Sequence, residues 1–564
     1  MGSINCKELI TAKESQSQNN DMAQIYTSTL ENDDYVEGTI CRETDINENE
    51  MKQFDLGDNG KVLLIKRNGE LSALGTKCTH YGAPLNTGAL SDNRVRCPWH
   101  GACFNLKTGD IEDFPGLDSI PCYQVKVNIN GEVVVRAKRK DLNNNKRIKD
   151  MVKKSPSNDT TYVIVGGGPC GGVAVETLRQ EGFTGRIVLI CKENSLPYDR
   201  VKLSKNFGID LSTLEFRKKE FYEDYSIETL LNVEVKTLNT KTKTVICSNG
   251  YSIKYDKILI ATGSRAVKAV IPGCDLKNIF TIRNHEDVAE INKLINEKSD
   301  VVCLGTGFIG LEAAAYVTGK VKSVTVIGRD VVPLKTVFGE LIGERIKKLF
   351  VDNNVNMIMN SGIERCFGND NGISAVQLKD GHTIPCDILI MGTGTVLNTE
   401  FIKSSDVVVN RNGSIDTDKY LMSNIQDVYI AGDIANAPIY SAEGKNGVIG
   451  HYQLAQYHGK VAATNMAGIK MELKAVPFFW TMLFGKSFRY SGYGKHEETY
   501  IEGDLEELNF VAYHLEKNGN VIAITACTSE PVAATYAELQ SQGFRLHKDD
   551  LQGDPKLWMS KLKI

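Results

Sequence analysis

The sequence predicts a multidomain chain: a small all-β domain, an α/β core built on two glycine-rich βαβ units, and a C-terminal α+β domain. Three observations predict it. Short segments of alternating apolar and polar residues, broken by Gly-Asp and Asn-Gly turns, fill the stretch from 61 to 137. Apolar β-type runs at 161–165 and 300–304 each lead into a Gly-x-Gly-x-x-Gly turn and a helical pattern. The 564 residues suffice for three or four domains of roughly 100–200 residues each.

Composition narrows the function classes. Hydrophobic residues make up 41% and charged residues 24%, an ordinary globular balance. The net charge of −4 gives no global pull toward nucleic acid, so none is expected as a partner. Fifty glycines against fourteen prolines favour close backbone approaches. Fourteen scattered cysteines form no disulfide framework and fit a reducing, cytoplasmic setting. No apolar run reaches the roughly 20 residues of a membrane span; the best candidate, 301–317, contains the second glycine motif. The N-terminus lacks an apolar signal region, and residues 1–30 carry Glu8, Glu14 and Asp21 but no Arg, unlike a mitochondrial presequence. MGSINC leaves lipidation at Gly2 and Cys6 as one reading, although a myristoylation pattern has Ser or Thr at position six. A plain disordered tail over 1–35 is the other, given the Ser, Gln and Asn of 15–30.

The β domain, 36–137, is read from KVLLIKR, ELSALG, YQVKVNI and EVVVRA. Within it lie KCTHYGAPL (77–85) and CPWHGACF (97–104), which present Cys78-x-His80 and Cys97-x-x-His100. Each half offers one thiolate and one imidazole. A structural zinc finger brings two Cys from one knuckle and two His from the other. Mixed knuckles suit a cluster of two unlike irons, one held by Cys and one by His. Gly82 and Gly101 allow turns that aim N–H groups at bridging sulfides. A zinc site stays open as the alternative. Cys103 and Cys122 read as small core residues.

The two loops resemble those of Rieske ferredoxins and their oxygenase relatives. The resemblance implies a [2Fe–2S] cluster on Cys78, His80, Cys97 and His100. Where high-potential members carry two further Cys, this chain has Ala83 and Trp99, which implies the lower end of the roughly −150 to +300 mV Rieske range. Residues 138–158, rich in Lys, Arg and Asn, read as a solvated basic linker. If flexible, it reaches about 25 Å.

The first βαβ unit is TYVIVGGGPCGG (161–172), a strand running into Gly166, Gly168 and Gly171. A helical pattern, a second strand RIVLIC and Glu193 follow. Such glycines let the backbone approach a pyrophosphate, the helix N-terminus faces the phosphates, and the acid bonds the ribose. The pattern returns at DVVCLGTGFIG with Gly305, Gly307 and Gly310, a helix, and the strand SVTVIG. Two nucleotides are therefore expected, most naturally a flavin and a nicotinamide. In DVYIAGDIANAP (427–438), Asp433 is placed to bond a ribityl chain. The expected order is an FAD domain in two parts, 159–285 and 416–475, around an NAD(P) domain, 286–415, and a last domain, 476–564.

This set resembles the flavoproteins with two dinucleotide-binding domains, in which ILIATGS (258–264) is the turn between the FAD and NAD segments. Disulfide-reducing members have a Cys pair soon after the first unit. Here Cys191 has no partner before Cys247, so disulfide exchange is not expected. LPYDRVKLSK (196–205) resembles the LPYDRPPLSK segment of ferredoxin reductases, with Val201 as a departure. That implies FAD contacts from Arg200 and Lys205, and a Lys205–Glu312 pair beside the flavin, where a cation favours the reduced anion; a purely structural ion pair is the alternative. Arg329 can accept a 2′-phosphate, whereas Asp330 sits late for a ribose acid, so the coenzyme is NAD(P)H, weighted toward NADH by family habit. His451 and Trp480, the latter in a segment (476–494) resembling the family's VPWFWS, are placed either near the isoalloxazine or in the core.

With HGACF, EDFPGLDS and GDLEEL, the chain resembles the apoptosis-inducing-factor-like proteins over about 36–560. The resemblance implies electron flow from NAD(P)H through FAD to the chain's own cluster and on to an unidentified acceptor. It also implies a pro-apoptotic role, mitochondrial association and a homodimer through the last domain. A redox-switched interaction protein and a zinc module on a degenerate flavoprotein are the other readings.

Overall fold

The computed structural model describes residues 34–58 and 60–563. Gly2 and Cys6, the expected lipidation sites, and all but the end of the expected tail lie outside the described residues. The chain forms two compact units. One runs to Gly75 and resumes over Pro121–Asn145; the other comprises Thr76–Ile120 and the chain from Lys146 onward. The sequence expected to form one Rieske-like domain is thus shared between them.

In the first unit, six antiparallel strands lie in the order Tyr35–Arg42, Glu132–Lys138, Cys122–Val127, Glu70–Leu74, Gly60–Arg67, Glu50–Leu56. Val62, Leu64, Tyr123, Val133 and Val135 fill its core. Alternation corrects one expectation. Cys122, read as a core residue, is exposed, because Tyr123 beside it points inward and neighbours on a strand face opposite ways.

The second unit begins with four short antiparallel strands, Ala89–Leu90, Arg94–Arg96, Cys103–Asn105 and Ile111–Asp113. They carry the two Cys/His loops. The basic stretch after Lys146 is bonded along this unit. Arg147 pairs its backbone with Ser119 and donates to the Thr108 carbonyl and Asp110; Val152 N–H reaches Arg179 O and Ser155 N–H reaches Thr184 O.

Two parallel five-stranded sheets follow. The first has the order Ile227–Leu230, Arg186–Ile190, Thr161–Val165, Lys257–Ile260, Val428–Ile430. The second has Ile279–Phe280, Ile388–Met391, Asp300–Leu304, Ser323–Ile327, Asn356–Ile358. Their central strands are apolar runs because helices cover parallel sheets on both faces. The last strand of the first sheet comes after the whole second sheet, so one α/β body is inserted into the other. The C-terminal part is an antiparallel sheet, Phe478–Leu483, Lys486–Gly492, Val521–Cys527, Asn509–Leu515, Glu498–Asp504, followed by the helix Val532–Ser541, as the α+β expectation requires. Among the described residues no helix is long and apolar enough to cross a membrane.

Candidate metal centre and nucleotide cradles

The two Cys/His loops fold alike. Cys78 N–H donates to Ala83 O and Gly82 N–H to Cys78 O; Cys97 N–H donates to Ala102 O and Gly101 N–H to Cys97 O. Gly82 and Gly101 take φ of +80° and +83°, which glycine adopts without strain. At Gly101 a side chain is excluded twice, since an added Cβ would meet the Phe478 ring at 3.0 Å.

The loops bring the four candidate ligands together as two pairs. The Nδ1 atoms of His80 and His100 stand 3.1 Å apart. Cys78 and Cys97 face one another, and Cys97 together with burial pushes the Cys78 thiol up. Burial pulls the His80 imidazole down to about 3, with Lys202 and Lys146 adding to the effect. It pulls His100 well down too, reinforced by His80, Arg489 and Lys205. Both rings are therefore neutral at physiological pH, the form that ligates a metal. Among the described residues no three His, Cys, Asp or Glu side chains converge to hold a single ion. A pair of thiols and a pair of imidazoles fit the two unlike irons of a [2Fe–2S] cluster.

Aromatic and ionic groups surround these ligands. Tyr81 stacks on His80 with centroids 3.7 Å apart, and its hydroxyl donates to Asp199 Oδ2 at 2.8 Å. His100 lies against the Trp480 indole, centroids 4.1 Å apart. Lys205 Nζ sits over the same indole, 5.1 Å from its centroid, and donates to Glu312 Oε2 at 2.8 Å. Glu312 is buried and also accepts from Ser204 and from Thr481 Oγ1. The expected Lys205–Glu312 pair is thus formed, and Trp480 lies between it and His100, a candidate ligand. Arg489 Nε donates to Trp99 O at 3.1 Å.

A buried ionic group holds the same segment from elsewhere. Arg96 donates to Gly101 O (2.9 Å), Asp113 Oδ2 (3.2 Å) and Glu538 Oε2 (2.9 Å); Arg94 donates to Glu538 Oε1 (2.7 Å) and Ser541 Oγ (2.8 Å). Arg96 and Glu538 are each 1% exposed.

The two glycine motifs share one geometry. A Cβ at Gly166 would stand 2.2 Å from Ala261 O, and one at Gly171 2.0 Å from Gly166 O. At Gly305 and Gly310 the corresponding distances are 2.3 Å to Gly392 O and 2.2 Å to Gly305 O. Gly168 and Gly307, by contrast, face open space. Each is the N-cap of a motif helix, Pro169–Gln180 or Phe308–Val317, and neither helix has a side-chain cap. Both helix N-termini therefore present free N–H groups to a phosphate.

Around the first cradle, Glu193 accepts from Tyr198 (2.8 Å) and from Arg200 Nη2 (3.0 Å). Arg200 Nε is buried without a partner, an orphan donor that fits a bound flavin dinucleotide. Asp433 accepts from Ser264 Oγ (2.7 Å) and Arg283 (3.3 Å). His451 precedes the helix Tyr452–Met466 without capping it through its side chain, and burial lowers its imidazole to about 4. Cys191 is a buried thiol pushed up to about 12, chiefly by burial, and is no nucleophile. Around the second cradle, Arg329 and Asp330 are exposed. Sequence reasoning missed Tyr81, Asp199, Ser204, Thr481, Arg489 and the Arg96–Glu538 pair. Tyr81 had a signal, its place beside His80; Glu538 had none, lying 442 residues from Arg96.

Comparison with known proteins agrees with this architecture. The Rieske [2Fe-2S] domain family matches residues 37–124, and the pyridine nucleotide-disulphide oxidoreductase family matches 160–459. Apoptosis-inducing factor 3 of Mus musculus and of Homo sapiens are each 41% identical over 525 residues, 92% of this chain and 86% of theirs. The ferredoxin–NAD(+) reductase subunit of the benzene 1,2-dioxygenase system of Pseudomonas putida is 28% identical over 331 residues, 58% of this chain and 80% of its own. Among solved structures, the covalent putidaredoxin reductase–putidaredoxin complex superposes with a TM-score of 0.67 at 21% identity, covering 72% of this chain and 98% of that one. A ferredoxin reductase from Rhodopseudomonas palustris gives 0.67 at 24% identity, covering 72% and 100%. Likeness of this extent, on top of the paired ligands and twin cradles, places the chain in the apoptosis-inducing-factor-like branch of the pyridine nucleotide-disulphide oxidoreductases, NAD(P)H-dependent flavin enzymes here carrying a Rieske [2Fe–2S] domain.

Proposed function

We propose that the chain takes electrons pairwise from NAD(P)H and passes them singly, by way of its own cluster, to a separate acceptor. The observation that carries this reading is the contact of His100 with Trp480, whose indole also meets Lys205. FAD supplies the exchange between a two-electron donor and a one-electron carrier, and the cluster supplies the one-electron store. Gly166, Gly168 and Gly171 would receive the flavin pyrophosphate, Glu193 the ribose and Asp433 the ribityl hydroxyls. Arg200 and Lys205 would face the rest of the flavin. Gly305, Gly307, Gly310 and Arg329 would receive the nicotinamide dinucleotide. Glu312 fixes the Lys205 ammonium, whose charge favours negative charge arriving beside it. Cys78 and Cys97 would give up their protons as they ligate, while His80 and His100 ligate as neutral rings.

The reading divides the chain at the boundaries expected from sequence: tail 1–35, Rieske domain 36–137, linker 138–158, then the reductase domains to 564. The pro-apoptotic role is supported by the name of the mouse and human relatives alone, and a cytoplasmic, mitochondrion-associated homodimer stays part of this reading on the family resemblance. Anaerobic titration with NADPH and NADH tests the core of the reading, with flavin absorbance and the cluster's paramagnetic resonance as readouts. Reduction of both centres supports it. Flavin bleaching beside an intact, oxidised cluster would overturn the internal passage and favour a redox-switched interaction protein with little turnover.

A further inference from the structure

The end of the strand Ser323–Ile327 separates the two nicotinamide coenzymes. Ile327 lies beside Leu304 in the parallel register, so Gly328 comes next to the turn that starts at Gly305. An acid in the turn that begins here grips the ribose hydroxyls of NADH. Position 328 has no side chain, and the packing admits none. A Cβ there would stand 2.5 Å from Thr306 Cγ2 and 3.0 Å from Met359 Cε. The Met359 end can bend away, but Thr306 is buried and β-branched, with few rotamers to retreat into.

Arg329 follows. It is exposed, and among the described residues its guanidinium has no hydrogen bond or ion pair. Asp330 stands as far past its strand as Glu193 stands past Arg186–Ile190. The likeness ends there. Glu193 is held in place by Tyr198 and Arg200, whereas the Asp330 carboxylate is exposed and accepts no hydrogen bond among the described residues. Only its backbone is engaged, the carbonyl accepting from Asn360 N–H at 3.1 Å.

We propose that this chain selects NADPH over NADH, with Arg329 as the residue that reads the 2′-phosphate. The inference rests on the NAD(P)H reading above. A guanidinium meets a phosphate through two parallel, charge-assisted hydrogen bonds. Arg329 gives up no partner inside the protein to make them. NADH leaves Arg329 unused, and the acid at the place of Glu193, Asp330, is exposed and accepts no hydrogen bond among the described residues.

Calorimetry on the full-chain holoenzyme tests this with two fragments, adenosine 2′,5′-bisphosphate and AMP. The bisphosphate is expected to bind at least about tenfold more tightly, and Arg329→Ala to shrink that ratio below about threefold, with Arg329→Lys between them. Equal affinities, tighter AMP binding, or a ratio that Arg329→Ala leaves in place would each overturn the assignment. Flavin bleaching by NADPH and NADH is followed separately. If neither dinucleotide bleaches the flavin, the oxidoreductase reading falls, while the fragment ratio still decides what Arg329 recognises.

Discussion

Among the contacts that hold the segment Thr76–Ile120 to the rest of its unit, two are very different. One is ionic and dry: Arg94 and Arg96 share the Glu538 carboxylate, with Arg96 and Glu538 each 1% exposed. The other is aromatic and half-open: Tyr81, His80 and His100 meet Trp480 and Asp199. The ionic contact has many directed bonds and touches the ligand loop at Gly101 O and the Cys103 thiol, neither of them a candidate ligand. The aromatic contact has few directed bonds, yet it joins both candidate imidazole ligands to the Lys205–Glu312 pair. On the proposed route, placement and passage would fall to separate sets of residues.

Glu538→Ala tests the ionic contact and has the largest expected effect. It leaves Arg96 and Arg94 without their shared acid in a site closed to water, with Asp113 as the carboxylate still bonded to Arg96, which costs up to about 3 kcal/mol. Denaturant unfolding checks it, and Glu538→Gln, which keeps the shape, should lose less. An alanine variant as stable as the wild type would show the ionic contact to be idle.

Trp480→Leu tests the other contact. Loss of the ring pairs costs about 1 kcal/mol of stability. Cluster reduction should slow by about tenfold, ~1.4 kcal/mol on that step, and by more than flavin reduction does. Stopped-flow absorbance resolves the two, and equal slowing would remove Trp480 from the route.

The contacts should also titrate with opposite signs. Burial raises the Glu538 carboxyl, but Arg96 and Arg94 outweigh it and hold it below its ordinary value. Its stabilisation is full above the unfolded value of about 4.3 and is lost as pH falls through the lower folded one. For Asp199, burial outweighs the Tyr81 hydrogen bond and pushes the carboxyl up. Its contribution is present below about 3.9 and is lost as pH rises through the folded value. Melting temperatures should therefore bring Glu538→Gln closer to wild type on acidification, and Asp199→Asn should gain on wild type as pH rises. Tyr81→Phe is the mildest change. It removes one hydrogen bond to Asp199, about 1 kcal/mol, and should push that carboxyl up further.

Much of this was legible in the sequence, for reasons that differ by region. The four ligands and six motif glycines are local patterns, because a turn of four or five residues sets their geometry. The paired sheets follow from apolar runs flanking those turns. Glu538 was not legible, since its partners are hundreds of residues away and a buried Glu in a helix has no pattern of its own. The stretch 138–158 reads as a solvated linker from its Lys, Arg and Asn, but within it Arg147 and Ser155 have specific carbonyl partners that no count of residue types records. The coenzyme stayed open because Gly328 is ambiguous on paper. The Thr306 side chain packed against it supplies the physical reason that no acid stands there.

The bonds that lay Arg147, Val152 and Ser155 along the second unit have a kinetic meaning. A ferredoxin and its reductase on separate chains must meet in solution, so their exchange is second order and slows as salt screens the encounter. A ligand loop already seated beside Trp480 needs no encounter. On the proposed route the exchange would be first order: its rate per molecule should stay constant on dilution and nearly constant across ionic strength, leaving only the external acceptor sensitive to either.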